Sequence, residues 1–219
     1  MIVENCAFSD DVLYDLENFV WVKKSEDSFF VGVTSITVWN TGIIKSVSLK
    51  PVGTSVDKGK LIGSLEGPKN FVVVKAPFSG SVKEVNSNVL QKPRMINDDP
   101  YGAGWLVKMT PSDPNQVALL KSAQEAKEAF SKKIKELRIR CYAAFPDVEL
   151  YEIGIECSAV LAKLNDALSR LSVGSVVLLV TDDPTSEIEM MRWAKQTGQQ
   201  LLEKRRNDNL YHFIVKKVV

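Results

Sequence analysis

The chain has a single histidine, His212, and only three cysteines, Cys6, Cys141 and Cys157, in 219 residues. One imidazole removes most nucleophile–base chemistry, because a Ser-His-Asp or Cys-His pair, or a histidine-bearing zinc site, would have to use it. His212 falls in the strand-like run LYHFIVKKV, where a surface or core-edge role is expected. An odd number of widely spaced cysteines gives neither a disulfide framework nor a CxxC pair. The compartment is therefore expected to be the reducing cytoplasm; Cys6 and Cys141 are read as incidental, with Cys141 exposed in a linker. Neither charge dominates: 28 Lys plus Arg stand against 27 Asp plus Glu, which argues against a phosphate-backbone binder and so against a nucleic-acid partner. No apolar run approaches the roughly 20 residues that cross a bilayer. The start, MIVENCAFSDD, lacks the basic segment and apolar core of a secretory signal, so no membrane partner is expected.

Nucleotide signatures are missing too. GTSVDKGKL at 53–61 has one residue too many between its glycines for a P-loop, and Leu61 stands where Ser or Thr would hold magnesium. Gly102-Ala103-Gly104 precedes an apolar run instead of following one, unlike a dinucleotide fingerprint. These absences point away from an enzyme.

What is present is organised in two parts. From about residue 19 to 110, short β-rich runs (FVWV, FFVGV, GIIKSVSL, LIGSLE, FVVVK, GSVKEV, GWLVKM) alternate with turn segments such as NTG, PVGT, DKGK, GPKN, PFSG and NSN. Even spacing with Gly, Pro and Asn punctuation predicts an all-β barrel or sandwich. Asp113-Pro114 then sets a helix start, with Gln116 three residues after the cap. Val117, Leu120, Ala123, Ala126, Phe130, Ile134 and Leu137 recur at three- and four-residue steps, predicting one long amphipathic helix that closes a first domain, 1–137. Residues 138–146 lose the periodicity and are read as a linker. The second domain, 147–219, reads as strand (VELYEIGI), helix (apolar at Val160, Leu161, Leu164, Leu168, Leu171) and fully buried strand (SVVLLV). A second helix follows, from Asp183-Pro184 to Gly198, and then a hairpin around Asn207-Asp208-Asn209. The order β-α-β-α-β-β is a small two-layer α+β domain.

Lys69 stands in Gly67-Pro68-Lys69-Asn70 between two strands, a hairpin turn with the lysine at its tip. An ordinary solvated lysine and a point of covalent attachment both fit that place. The surrounding sequence bears on the choice. FSDDVLY, VGVTSITVWNTGIIKSVSLKPVGTSVDKGKLIGSLE, APFSGSVKEVN and INDDPYGAGWLVKMTPSD follow in order the pattern of the glycine cleavage H protein, a member of the lipoyl-domain superfamily. The first domain resembles that family over roughly 8–137, and DDPYGAGWL is its most specific piece. The resemblance implies a barrel-sandwich fold, covalent lipoate on Lys69, and Glu66, three residues earlier, as the lipoylation-recognition residue. Here Glu66-Gly67-Pro68-Lys69-Asn70 replaces the usual Glu-Ser-Val-Lys-Ala, and LENFVWV at 16–22 occupies the stretch where the family carries a histidine. Lys75 in FVVVKAP is the decoy, placed along a strand and not at a turn.

Cys157 follows the strand VELYEIGI and opens a helix. A thiol there has its thiolate favoured by the helix dipole and free N–H groups; a small buried residue packing the strand–helix corner is the equal alternative. Gly154-Ile155-Glu156-Cys157 and TDDPTSEIEMMRWAKQTGQQLL resemble the TusA/SirA-like sulfur-carrier family. That resemblance implies that Cys157 carries sulfur. The family's Cys-Pro-x-Pro has become Cys157-Ser158-Ala159-Val160, so both prolines are lost.

Together these resemblances imply a carrier, itself a substrate of partner enzymes, that shuttles covalently bound intermediates in sulfur transfer or sulfur oxidation. A tether between the two domains raises the effective concentration of one site at the other where geometry lets them meet, and thiol–disulfide-type exchange is direct chemistry. The partners implied are a lipoate ligase or lipoyl transferase and sulfur-transfer or sulfur-oxidising enzymes. The alternative is an H protein of glycine cleavage carrying the aminomethyl group, with glycine decarboxylase, aminomethyltransferase and dihydrolipoyl dehydrogenase as partners and the second domain accessory. A thiol oxidoreductase would need a resolving cysteine beside Cys157, and an unmodified adaptor would leave two carrier-type domains in one chain as coincidence.

Overall fold

A computed structural model describes residues 1–219. Two compact units divide the chain, Met1–Cys141 and Tyr142–Val219. In the first, a short hairpin of β1 (Ile2–Val3) and β2 (Cys6–Ala7) precedes β3 (Leu13–Asp15), β4 (Val20–Ser25), β5 (Ser28–Val33) and helix α1 (Ser35–Thr41). There follow β6 (Ser46–Leu49), β7 (Ser55–Val56), β8 (Leu61–Glu66), β9 (Phe71–Lys75) and β10 (Gly80–Val85). The unit ends with α2 (Ser87–Gln91), α3 (Met95–Asp98), β11 (Val107–Pro111), α4 (Pro114–Val117) and α5 (Ala123–Glu136). Six strands pair in the order β3-β4-β5-β11-β10-β7 and three in the order β6-β8-β9. Alternation holds in β11, where Val107 and Met109 are buried and Lys108 and Thr110 are not; in β8 an irregularity between Leu61 and Gly63 breaks it, so Ile62 and Leu65, three residues apart, are both buried. This is the β-rich fold closed by a helix that the sequence predicts.

Three details differ from the sequence reading. Asn40-Thr41-Gly42 belongs to the end of α1 and not to a hairpin turn. Its β-branched run, Ile36-Thr37-Val38, is helical because Ile36 and Val38 are buried there, and packing overrides propensity. The segments around NSN and MIND are likewise short helices, the first capped by Asn86, whose side chain accepts the Asn88 N–H. The predicted single helix from Pro114 to Leu137 is two. Ser122 and Glu125 form a capping box that starts α5, while the Lys121 backbone leaves the helix to pair with Tyr14.

The cysteine expectation is overturned. Cys6 and Cys141 form a disulfide with Cα atoms 5.0 Å apart, bridging 135 positions of sequence. Neither is incidental and Cys141 is not exposed: both are buried in a cluster with Phe8, Tyr14, Ala126, Phe130 and Ile134. The β1–β2 hairpin and α5 bring the ends of the first unit together, a proximity no local spacing encodes. The segment read as a linker is packed at both ends, with Ile139 against that cluster and Tyr142 and Ala144 against the sheet of the second unit.

The second unit runs β12 (Val148–Glu152), α6 (Cys157–Ser169), β13 (Val176–Thr181), α7 (Ser186–Thr197), β14 (Gln200–Asn207) and β15 (Leu210–Lys216). Its sheet order is β12-β13-β15-β14, parallel between β12 and β13 and antiparallel elsewhere. Every residue of β13 is buried, as the unbroken apolar run predicts. Val177 and Leu179 pack with Val160, Leu164 and Leu168 of α6 and Met190 and Trp193 of α7. Gly198 ends α7 in the left-handed conformation, φ 75°. His212 is buried in β15, its Nδ1 2.8 Å from the Tyr142 hydroxyl, so it is a core residue and not a surface one. No helix is long and apolar enough to cross a membrane.

Candidate functional site

Lys69 lies exposed at the tip between β8 and β9, where Glu66 pairs with Phe71 and the Gly67 N–H closes the turn on the Asn70 carbonyl at 3.2 Å. The tip rests on the C-terminal end of α1. The Lys69 N–H reaches the Thr41 carbonyl at 3.2 Å, and the Asn70 amide donates to the Asn40 carbonyl at 2.7 Å. A Cβ on Gly67 would stand 2.3 Å from the Thr41 oxygen, so only glycine permits this approach. The departures from the family's usual residues thus have structural work: Gly67 admits the helix end and Asn70 ties the turn to it.

A second layer holds that helix end. Asn97, 8% exposed, accepts the Ile44 N–H and donates to the Gly42 carbonyl, both at 2.9 Å. Asn97 opens the segment Asn97-Asp98-Asp99-Pro100-Tyr101-Gly102-Ala103-Gly104-Trp105, whose glycines wrap the Asp99 backbone and carboxylate. The Ala103 N–H donates to Asp99 Oδ2 at 2.7 Å and the Gly104 N–H to the Asp99 carbonyl at 2.8 Å. The Pro100 carbonyl takes the Trp21 indole N–H at 3.0 Å. Asn97 thus braces the α1 end on which the Lys69 tip rests, while Asp99 and Pro100 tie the run that follows to itself and to Trp21. Sequence reasoning singled out Lys69 and Glu66 but missed Asn40, Thr41, Asn70 and Asn97; the last needed the fold, since it acts across 53 positions on Ile44. Glu66 is exposed at the end of β8, its carbonyl accepting the Lys45 N–H at 2.8 Å. Lys75 is exposed at the end of β9, paired with Leu61 along the sheet.

An attachment lysine needs an accessible amine on a backbone held still enough for an enzyme to recognise. The Lys69 tip meets both requirements and so fits a covalent lipoyl group.

Cys157 is the first residue of α6, 8% exposed, and the free cysteine of the chain. The Glu156 side chain makes no cap hydrogen bond. The Cys157 N–H instead donates to Asp183 Oδ2 at 2.8 Å, while the other carboxylate oxygen takes the Thr185 N–H and hydroxyl at 2.8 and 2.7 Å. The neighbouring Asp182 accepts the Gly154 N–H at 2.8 Å. These carboxylates tie Gly154 and the start of α6 to the segment that leads into α7. They also reverse the expected electrostatics. Burial pushes the Cys157 thiol above its ordinary range, and the Asp183 and then Glu189 carboxylates add to it; a hydrogen bond with the Thr185 side chain pulls the other way. The thiolate that a helix dipole would favour is thus disfavoured, first by burial and then by the neighbouring carboxylates, and the exposure is that of a small residue packed at the strand–helix corner. Asp183 itself is held below the usual carboxylate range by the Thr185 hydroxyl and N–H, and by the Cys157 N–H.

The two units define a class: a β-sandwich with an exposed lysine tip, joined to a small α+β unit with a cysteine at a helix start. Residues 12–133 match the family model described as Glycine cleavage H-protein, and 152–217 that described as Sulfurtransferase TusA. The chain belongs to the glycine cleavage H-protein family and carries a TusA domain after it. It is 39% identical over 145 residues to a probable glycine cleavage system H protein 2 of Saccharolobus solfataricus, covering 64% of this chain and 98% of the relative. Glycine cleavage system H protein 5 of Aquifex aeolicus is 33% identical over 144 residues, 64% of this chain and 97% of the relative. The crystal structure of an H protein from Mycobacterium marinum superposes with a TM-score of 0.51 at 32% identity, covering 55% of this chain and 98% of that one. These relatives are matched almost end to end, and the second unit of this chain lies beyond them. Proteins of the H-protein family are lipoate-bearing carriers.

Proposed function

We propose that the chain is a non-enzymatic double carrier, with lipoate on Lys69 and sulfur on Cys157, that moves covalently bound intermediates between enzymes of sulfur transfer or oxidation. One observation carries this reading: a TusA domain with a cysteine at its helix start follows, in the same chain, an H-protein fold whose lysine tip is exposed and braced. Lipoate in amide linkage to Lys69 supplies a disulfide–dithiol pair at the end of a long arm. The protein's own part is positional. Thr41 and Asn40 hold the backbone of the tip, so the lysine is presented in one place to a lipoate ligase or lipoyl transferase, with Glu66 beside it for recognition. In the second unit, Asp183 fixes the start of α6 and with it the cysteine.

Glycine cleavage alone leaves the TusA domain without a task, which is why sulfur enzymes are the favoured partners. The cytoplasmic placement is kept in this reading; Cys6 and Cys141 are 0% and 2% exposed, which withholds their disulfide from small thiols. The test is an intact-mass and peptide map of the protein purified from its own host. A lipoyl adduct on Lys69 with a sulfur adduct on Cys157 is expected. A lipoyl adduct alone, with support of glycine–bicarbonate exchange by the other glycine-cleavage subunits, would replace this reading with an H protein.

A further inference from the structure

The disulfide and the Lys69 tip are joined by one short helix. The β1–β2 hairpin pairs only Ile2 with Ala7 and Val3 with Cys6, too little to stand on its own. Its neighbours hold it in place. Phe8 stacks on Phe130 of α5 with ring centroids 4.0 Å apart, and the S–S bond ties Cys6 to Cys141 beyond the end of that helix. Ala7, next to the bridged Cys6, takes up α1. Its carbonyl accepts the Ser35 hydroxyl at the first position of α1, and Ile36 is buried in the same cluster as Cys6 and Cys141. The Tyr101 hydroxyl, from the DDPYGAGWL run, accepts the Ser35 N–H at 3.1 Å. Seven residues make α1 a rod of about 10 Å. Its far end, Asn40 and Thr41, carries the Lys69 turn, and the Thr41 hydroxyl closes that end on the Thr37 carbonyl at 2.7 Å.

We propose that the Cys6–Cys141 disulfide is a redox-sensitive brace that acts through α1 on Lys69. Formed, it holds the lysine tip in the shape a lipoate-attaching enzyme recognises; opened, it lets the tip loosen. The inference rests on the reading of Lys69 as the lipoyl lysine and gives that site a regulation. On reduction the S–S bond breaks and two S–H bonds form. The two electrons and two protons come from a dithiol, whose own sulfurs close to a disulfide. Both sulfurs are buried, so the exchange waits on a local opening of the hairpin, the smallest sheet of the unit. Without the bond, the hairpin stays on α5 by apolar packing and by exposed pairs such as Glu4 with Lys135, which are worth little. Ala7 then no longer fixes the start of α1. A two-turn helix freed at one end passes that freedom to the turn resting on the other.

The experiment compares the full chain with the disulfide formed and after its reduction by dithiothreitol, reading two amides by hydrogen exchange. The Lys69 N–H, bonded to the Thr41 carbonyl, reports on the tip; the Leu106 N–H, bonded to the Val31 carbonyl at 2.8 Å, reports on the core of the unit. Opening the disulfide should speed exchange at Lys69 about three- to tenfold, the equivalent of one hydrogen bond's net contribution. A general loss of stability moves the core amide and not one that exchanges by local opening, so a change at Leu106 with none at Lys69 overturns the proposal. A protein that titrates three thiols before reduction overturns it too. Should the reduced unit unfold, Ser35→Ala with the disulfide intact decides, because it cuts the Ala7 link alone: faster exchange at Lys69 supports the brace and an unmoved Lys69 sinks it. The functional arm is lipoylation by a purified lipoate ligase, after removal of the reductant. The kcat/KM should fall by a similar factor in the reduced protein and recover on reoxidation; equal lipoylation of both forms removes the regulation. Exchange needs no lipoate, so an exchange difference in a chain that accepts no lipoate in either form would uphold the brace and fault the lipoyl reading.

Discussion

Lys69 and Cys157 are presented in opposite ways. The lysine is exposed on a four-residue turn, and what the structure spends around it is backbone bracing: Thr41, Asn40 and Asn97 fix the platform without enclosing the side chain. The cysteine is 8% exposed on a helix start, and what surrounds it is charge. The difference follows from chemistry. An amine that receives its cargo once, from a dedicated enzyme, must be findable and needs no guard. A thiol that is loaded and unloaded repeatedly must be withheld from other electrophiles between turns. The exposed, braced tip has the geometry the first requires, and the burial of Cys157 is the shelter the second requires.

The largest effect should come from breaking the lysine side of this comparison. Lys69→Arg keeps charge and fold but removes the acylatable amine, so the lipoyl mass increment should vanish completely; its persistence would move the attachment to Lys75. Next is the frame on which that tip stands. Replacing Cys6 and Cys141 by serine opens a closure of 135 residues and should lower the stability of the first unit by roughly 3–5 kcal/mol. The indole N–H resonances separate the units: Trp21, bonded to Pro100, reports on the first, and Trp193, bonded to Asn165, on the second. Only the Trp21 signal should collapse at lower denaturant. If both are unmoved and the wild-type protein titrates three thiols, the disulfide is not formed in solution.

Much of this architecture is readable without coordinates, and the failures have a common cause. The β runs, the β-α-β-α-β-β order, the buried strand Val176–Thr181 and the C-terminal glycine of α7 are carried by local periodicity and caps. Lys69 and Cys157 were singled out as candidates through residues next to them in sequence. What was missed acts at a distance: the Cys6–Cys141 bridge, the Asn97 bonds to Gly42 and Ile44, and the reach of Asp183 to Cys157 across 26 positions. The last of these bears on the cysteine, which local residues left open between a helix-start thiolate and a packed corner residue, because burial and carboxylates brought from another segment are not local properties. The long helix was misjudged for a related reason, since periodicity continued through 118–122 while Lys121 paired with Tyr14.

Asn97 offers a smaller test on the lysine side. Asn97→Ala leaves the Ile44 N–H and the Gly42 carbonyl without their partner in a buried setting, at a cost of about 1–3 kcal/mol to the first unit. Lipoylation by a purified ligase should slow while Trp193 and Cys157 alkylation stay as in wild type. Unchanged lipoylation in a folded variant would mean that the platform need not be rigid. Cys157→Ser, nearly isosteric, should remove the sulfur adduct and cost no more than about 1 kcal/mol. A surviving adduct would have to sit on the disulfide pair.

The smallest effect concerns acid. Asp183 has its folded value below the ordinary one, so its contribution to stability is present above the unfolded carboxylate value, about 3.9, and is lost as pH falls through the folded value. The second unit should therefore weaken below about pH 4, read at the Trp193 indole signal. Asp183→Asn should flatten that part of the profile while lowering stability at neutral pH, where the charge-assisted bonds to Thr185 and Cys157 are replaced by weaker neutral ones. A variant that became more stable at pH 7 would contradict the account of Asp183 as a cap, because its carboxylate bonds Cys157 at one helix start and Thr185 at the other.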